Sequence, residues 1–186
     1  VRVPLMEDPG TRYRYSEGTT VLGRLVEIWS GQSFDAYLQE RILTPLRMVD
    51  TGFHVRPDQR SRFTTVYAWK PGAPLAPAEL EPIVPFTERP ALLEGAVGLV
   101  STVPDFMRFS QMLAGGGALD GVRILQPQTV AMMVGNSLSG AVLAARRGPM
   151  GWGLANVNVL MDAGGTTASV GEYGWDGTAG TIFWND

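Results

Sequence analysis

One histidine, one lysine and no cysteine set the terms for any chemistry in these 186 residues. Without cysteine there is no thiol nucleophile, no disulfide and no thiolate metal site. A Ser-His-Asp triad would have to run through His54, and a metal centre would need carboxylates alone around that imidazole. His54 stands in Asp50-Thr51-Gly52-Phe53-His54, just after a helix stop, a setting that reads as a surface or packing histidine. Ser137 and Ser139, in Gly135-Asn136-Ser137-Leu138-Ser139-Gly140, approach a G-x-S-x-G elbow but miss its spacing. Lys70 follows Trp69, so it closes no G-x-x-x-x-G-K phosphate loop, and no G-x-G-x-x-G opens a helix after a strand. No cofactor signature and no metal-ligand spacing are present, and the expectation is an enzyme that needs neither.

The elements that must position the remaining chemistry are legible from spacing. Pro9-Gly10 makes a turn that feeds the extended segment Thr11-Arg12-Tyr13-Arg14-Tyr15-Ser16. Val21, Leu22, Leu25, Val26, Ile28 and Trp29 recur at helical spacing and predict one face of a helix ending near Gly31. Ser33 is placed as an N-cap, with Asp35 in the first turn of a second helix through Leu43 that Pro45 stops. Seven prolines between residues 55 and 90 predict a long ordered loop, read as the rim of a site. Thr102-Val103-Pro104-Asp105 resembles a capping box opening an amphipathic helix that Gly115-Gly116-Gly117 ends. Pro127 opens another, broken at Gly135 and Asn136. Residues 148–186 are rich in glycine, with Val157, Val159, Val170, Tyr173, Ile182 and Trp184 among them, and predict antiparallel strands and hairpins. Helices followed by strands give an α+β chain, an antiparallel sheet with packed helices, and not a doubly wound nucleotide fold.

Composition narrows the partners. Forty-five per cent hydrophobic and 18% charged residues are those of an ordinary globular protein. A formal net charge of −3 leaves no basic stripe for phosphates, so neither nucleic acid nor a polybasic membrane contact is expected. No apolar run reaches the roughly 18 residues of a spanning helix, and the compartment, cytoplasmic or periplasmic, stays open.

Several strings, in shared order, make the chain similar to the serine β-lactamase and penicillin-recognising hydrolase superfamily, especially its class C-like branch and the family VIII carboxylesterases. Pro9-Gly10-Thr11-Arg12-Tyr13-Arg14-Tyr15-Ser16 resembles the PG-x-x-F/W-x-Y-S-N segment, and Leu22-Gly23 through Ser30-Gly31 the helix after it. Phe34 to Leu46, Met48 and Asp50-Thr51-Gly52-Phe53 resemble L-x-x-x-I-F-x-P-L-G-M-x-D-T-G-F. Gly98-Leu99-Val100-Ser101-Thr102 and Leu119-Asp120-Gly121-Val122-Arg123-Ile124-Leu125 resemble GGL-x-ST and LDG-x-RIL. The resemblance implies a single β-lactamase-like domain over residues 1–186, incomplete because it lacks the S-x-x-K nucleophile pair. Tyr67 stands three before Lys70, so that pair is expected upstream of Val1, with this chain a C-terminal portion.

The resemblance implies roles residue by residue. Tyr15 matches the catalytic tyrosine of Y-x-N, which assists proton transfer; a phenol, ordinarily ionising near pH ~10, does so only beside cations. Gly174-Trp175-Asp176-Gly177-Thr178 resembles the W-G-G variant of the K-T-G position, with the Thr178 backbone N–H as an oxyanion donor and Trp175, Asp176 and Gly177 lining the substrate; read alone, Asp176-Gly177 is a hairpin turn. Glu17 replaces the family's Asn, and a carboxylate offers no N–H to a lactam amide. Trp175 replaces a cation by an apolar plate. Both changes favour neutral esters over β-lactams. Arg146 and Arg147, otherwise a solvated charge pair, could restore a carboxylate contact from a nearby loop. The expected activity is hydrolysis of a small carboxylic ester through an acyl-enzyme, with weak or no β-lactam turnover. The alternatives are a catalytically inactive scaffold of the same fold and a fragment that folds by self-association or with a missing N-terminal segment.

Overall fold

Helices form where the apolar spacing predicts them, and glycine and proline set their ends. In the computed structural model, residues 4–15, 17–78, 85–146, 148–177 and 179–186 are described. Helix α1 (Gly18–Ser30) stops where Gly31 takes a left-handed φ of 71°, which costs glycine little. Its apolar stripe is less covered than the spacing predicts: Leu25 and Val26 are half-buried, while Val21, Leu22, Ile28 and Trp29 are exposed. The close approach runs instead through Gly23, the one buried residue of α1, where an added Cβ would lie 3.3 Å from the Phe34 ring.

Helix α2 (Phe34–Leu38) continues into a π-helical turn, Gln39–Leu43. Ser33 stands at the N-cap position as expected, yet its hydroxyl donates to Asp35 Oδ1 at 2.6 Å. The Phe34 N–H is satisfied by Glu27 Oε1, 3.1 Å away. The proline-rich stretch carries a 3₁₀ helix, Pro57–Arg62, and a two-residue antiparallel ladder of β1 (Tyr67–Ala68) with β2 (Ala76–Pro77). Helix α3 (Val103–Ala114) shows half of the expected capping box. Thr102 Oγ1 accepts the Asp105 N–H at 3.3 Å. The buried Asp105 carboxylate turns away, accepting from the Asp50 N–H at 2.7 Å and the Thr51 hydroxyl at 2.8 Å. A buried N–H and hydroxyl must find acceptors, and here a helix-start acid supplies both.

A short hairpin of β3 (Ala118–Leu119) and β4 (Val122–Arg123) follows, then α4 (Pro127–Val134) and α5 (Gly140–Arg146). The chain closes on β5 (Met150–Trp152), β6 (Asn158–Leu160), β7 (Tyr173–Asp176) and β8 (Ile182–Asn185), a four-stranded antiparallel sheet in the order β5-β6-β7-β8. The architecture is therefore α+β, as the order of signals predicts. Among the described residues no helix is long and apolar enough to cross a membrane.

By proximity the chain parts into two compact units. Residues 17–109 pack Leu43, Leu46, Met48, Phe53, Val55 and Leu93 as a core, with the Phe34 and Phe53 rings 5.7 Å apart and Gly52 bridged to Val100. Asp50 accepts from both terminal nitrogens of Arg62, at 2.7 and 2.8 Å, and from Gln59 Nε2 at 2.7 Å. The Arg62 hydrogen bond holds the Asp50 carboxyl below its ordinary value near 3.8. A carboxyl depressed on folding stabilises the fold fully above that ordinary value, and the contribution is lost as pH falls through the lower folded value. Melting curves between pH 6 and 2 are thus expected to show a steeper acid loss in the wild type than in Asp50→Asn; parallel curves would remove Asp50 from the acid response.

Residues 1–16 with 110–186 form the other unit, whose core is Met112, Leu113, Val130, Val142, Trp152, Val157, Val159 and Tyr173. Its sheet depends on two bare glycines beside Trp152. A Cβ on Gly151 would lie 2.6 Å from Asn136 Oδ1, and one on Gly153 2.4 Å from the Met133 carbonyl oxygen. Through this gap Asn136 reaches the outer edge of β5, its Oδ1 accepting from the Trp152 N–H at 3.1 Å, while the Ser137 N–H donates to the Trp152 carbonyl at 2.8 Å.

Candidate active site

Neighbouring side chains of the N-terminal segment find different partners. Arg14 pairs with Glu7, and its hydrogen bond holds the Glu7 carboxyl below the ordinary range. Tyr13 and Tyr15, on either side of Arg14, both reach Trp152 on β5, with ring centroids 5.1 and 6.2 Å away. The N-terminal segment thus brings Tyr15 to the sheet. Its ring also lies 5.5 Å from Trp175 on β7, and the Trp175 ring meets Trp152 edge-on at 4.9 Å. Two of the sequence-derived site residues, Tyr15 and Trp175, therefore belong to one aromatic cluster around the buried Trp152. Each such ring pair contributes about 0.5–1.5 kcal/mol beyond its buried area. Tyr15 remains 67% exposed, so its hydroxyl is accessible to a reactant.

The other expected residues are described by their local partners. Glu17 stands at the N-cap of α1, where its Oε2 accepts from the Thr20 hydroxyl at 3.0 Å, a local role that residue type alone does not announce. Asp176 ends β7, exposed, opposite Ile182. The Gly177 N–H is already committed to the Thr181 carbonyl at 2.8 Å, and the β7–β8 connection is a five-residue loop rather than a two-residue Asp-Gly turn. Thr178 and Arg147 lie outside the described residues.

Two members of the cluster, Tyr13 and Trp152, go beyond the sequence reading, and a third, Arg146, stands on a different element from the one expected. The sequence places Arg146 on a loop; it is instead the last residue of α5, where a cation complements the carbonyl end of the helix. Its guanidinium carbon stands 4.3 Å from the Tyr13 ring centre and 5.5 Å from that of Trp152, and its Nη2 donates to Asn158 Oδ1 at 3.4 Å. Burial pushes the Tyr13 phenol above its ordinary value, and the Arg146 guanidinium works in the opposite direction. The signal for Trp152 is the string Met150-Gly151-Trp152-Gly153, a large ring between two glycines that other groups approach closely. Among the described residues no group of three or more His, Asp or Glu side chains is disposed to hold a metal ion.

Comparison with known proteins identifies the family. The protein-family model described as Beta-lactamase matches residues 1–186. Protein Rv1367c of Mycobacterium tuberculosis is 33% identical over 193 residues, covering 96% of this chain and 47% of that protein. Esterase EstB of Burkholderia gladioli is 28% identical over 205 residues, 98% of this chain and 48% of its own length. The chain spans about half the length of these curated relatives. Among solved structures, EstCE1, "a hydrolase with promiscuous acyltransferase activity", superposes with a TM-score of 0.82 over 99% of this chain and 50% of its own, at 23% identity, which speaks for the shared fold. Matched by that model over all its residues, the chain belongs to the Beta-lactamase family, within the β-lactamase/transpeptidase-like superfamily that also holds esterases and penicillin-binding proteins.

Proposed function

We propose that this chain forms part of a serine hydrolase that cleaves carboxylic esters through an acyl-enzyme, with Tyr15 transferring the proton and Trp175 backing the substrate. The observation that carries this reading is the meeting of Tyr15 with Trp175 at 5.5 Å, two residues from opposite ends of the sequence that the family resemblance implicates independently. The similarity to EstB, an esterase by name, and to EstCE1, a hydrolase with acyltransferase activity, supports ester and acyl-transfer chemistry. No S-x-x-K pair occurs in these 186 residues, so the activity belongs to a protein in which that pair accompanies this chain.

Tyr15, as phenolate, takes the proton of the serine hydroxyl while the serine oxygen bonds to the ester carbonyl carbon. Backbone N–H donors, with the Thr178 amide proposed as one, receive the oxyanion. The carbon–oxygen bond to the alcohol then breaks, and the alcohol leaves with the proton from Tyr15. Water next gives its proton to Tyr15, attacks the acyl carbon and releases the acid; the proton returns to the serine oxygen as it departs. Trp175 presents an apolar face where a cation would suit a β-lactam carboxylate, and Glu17 offers no amide N–H, so β-lactam turnover is proposed to be weak or absent.

The test joins two measurements on the protein carrying the Ser-Lys pair with this chain: hydrolysis of p-nitrophenyl acetate and butyrate, and intact mass after a serine-reactive fluorophosphonate. Ester turnover with one adduct supports the reading. No turnover and no adduct would leave a non-catalytic member of the same fold.

A further inference from the structure

The unit formed by residues 17–109 carries an open cleft of about 340 Å³, none of whose residues takes part in the proposed ester hydrolysis. That volume falls within the range of small-molecule sites, roughly 300–1,000 Å³. The left-handed turn at Gly31 folds α2 back against α1, so that Trp29 near the end of α1 and Tyr37 of α2 wall the same space. Trp29 is 77% exposed, a large apolar plate left in water. The polar lining is Gln32, Glu40 and Arg41, and these three are already joined. Gln32 Nε2 donates to Glu40 Oε2 at 2.8 Å, and Arg41 Nε stands 3.5 Å from Glu40 Oε1. Glu40 and Arg41 belong to the π-helical turn, which is held by the Thr44 N–H on the Gln39 carbonyl at 2.9 Å and by Gln39 Nε2 on Thr44 Oγ1 at 2.8 Å. Such turns are rare interruptions of a helix and recur at functional sites. This one sets both charged side chains beside the two rings.

The chemistry of the lining selects the ligand. Glutamate only accepts hydrogen bonds, arginine only donates them, and glutamine does both. A hydroxyl also does both, so a row of adjacent hydroxyls matches this trio. Glu40 and Arg41 offset each other's charge, and an ionic ligand of either sign would meet one like charge. A quaternary ammonium, the usual guest of paired aromatic rings, is disfavoured further because the Arg41 guanidinium already stands 5.9 Å from the Tyr37 ring centre. A pyranose with equatorial hydroxyls presents instead a flat plate of axial C–H bonds, weakly positive, which suits the negative face of an indole. We propose that this cleft binds a neutral saccharide, stacked on Trp29 with its hydroxyls held by Gln32, Glu40 and Arg41. The site stands whether or not the protein hydrolyses esters.

The experiment is isothermal titration calorimetry on the whole protein with cellotetraose and chitotetraose, and with choline as the cationic probe. At least one of the two saccharides is expected to bind with a Kd of about 1 mM or lower, and choline not to bind. Trp29→Ala should weaken saccharide binding about tenfold, the scale of one lost ring partner, and Trp29→Phe should keep most of it. Because Trp29 is exposed, both variants should melt at the wild-type temperature, which separates a lost ligand contact from a lost fold. Arg41→Met should weaken binding as well. Failure of both saccharides to bind the wild type overturns the proposal, as does saccharide binding undiminished in Trp29→Ala. Binding of choline in place of the saccharides overturns it too, by making the cleft a cation site.

Discussion

Tyr15→Phe is expected to lower kcat/KM for p-nitrophenyl butyrate by about 10²- to 10⁴-fold, the range a positioned proton-transfer group contributes. The substitution removes one hydroxyl and keeps the ring, so the contacts with Trp152 at 6.2 Å and Trp175 at 5.5 Å survive. Because Tyr15 is 67% exposed, losing its hydroxyl should change stability by no more than about 0.5 kcal/mol. The signature is thus a catalytic collapse at an unchanged melting temperature, measured by steady-state hydrolysis beside differential scanning calorimetry. The fluorophosphonate labelling rate should fall in parallel, since it too requires an activated serine. A Tyr15→Phe enzyme with wild-type kcat/KM would falsify the proton-transfer role, whatever its substrate.

A second large effect is expected at Gly174, for steric reasons. In β7 this residue pairs with Trp184 of β8, and a Cβ there would lie 2.2 Å from the Phe183 carbonyl oxygen and 3.0 Å from the Trp184 Cα. Both obstacles are backbone, so no side chain can swing aside, and β8 must shift away from β7. Gly174→Ala is expected to cost about 3 kcal/mol, the upper part of the overpacking range. For a chain of this length that lowers the melting temperature by about 6–12 °C. Gly140→Ala is the matched control: it stands at the start of α5 with no atom within 4 Å of the added Cβ and should move stability by about 0.5 kcal/mol or less. Equal melting temperatures for the two variants would show that β8 does not hold β7 in place. Because Trp175 follows Gly174 directly, the same substitution should also weaken ester turnover.

The contrast between these residues shows what is legible in the sequence. Helix limits written in local chemistry are readable: Gly31 ends α1, and Pro127 opens α4, which closes at Gly135. Helix α5 escapes the reading, although Ser139 followed by Ala141, Val142, Leu143, Ala144 and Ala145 carries an N-cap and good helix formers, because a serine between glycines draws attention as a nucleophile. The capping box at Thr102 is half right, because a buried acid serves the most demanding donors within reach, and those of Asp50 and Thr51 lie far away in sequence. The same limit governs the site. Tyr15 and Trp175 can be singled out by motif, but Trp152 binds them together through contacts among residues 15, 152 and 175 that no local spacing encodes. Arg146 is singled out as a cation by sequence, but its seat over the Tyr13 ring exists only once α5 has formed.

The edge-on meeting of Trp152 and Trp175 gives the molecule a built-in optical signal. Two indoles with centres 4.9 Å apart and planes at 87°, held on strands that β6 separates, are close enough for their electronic transitions to couple. Circular dichroism should therefore show a paired positive and negative band that neither chromophore produces alone, lost in Trp152→Phe and in Trp175→Phe alike. Its emergence during refolding would time the moment at which β5 and β7 come into register, without any label.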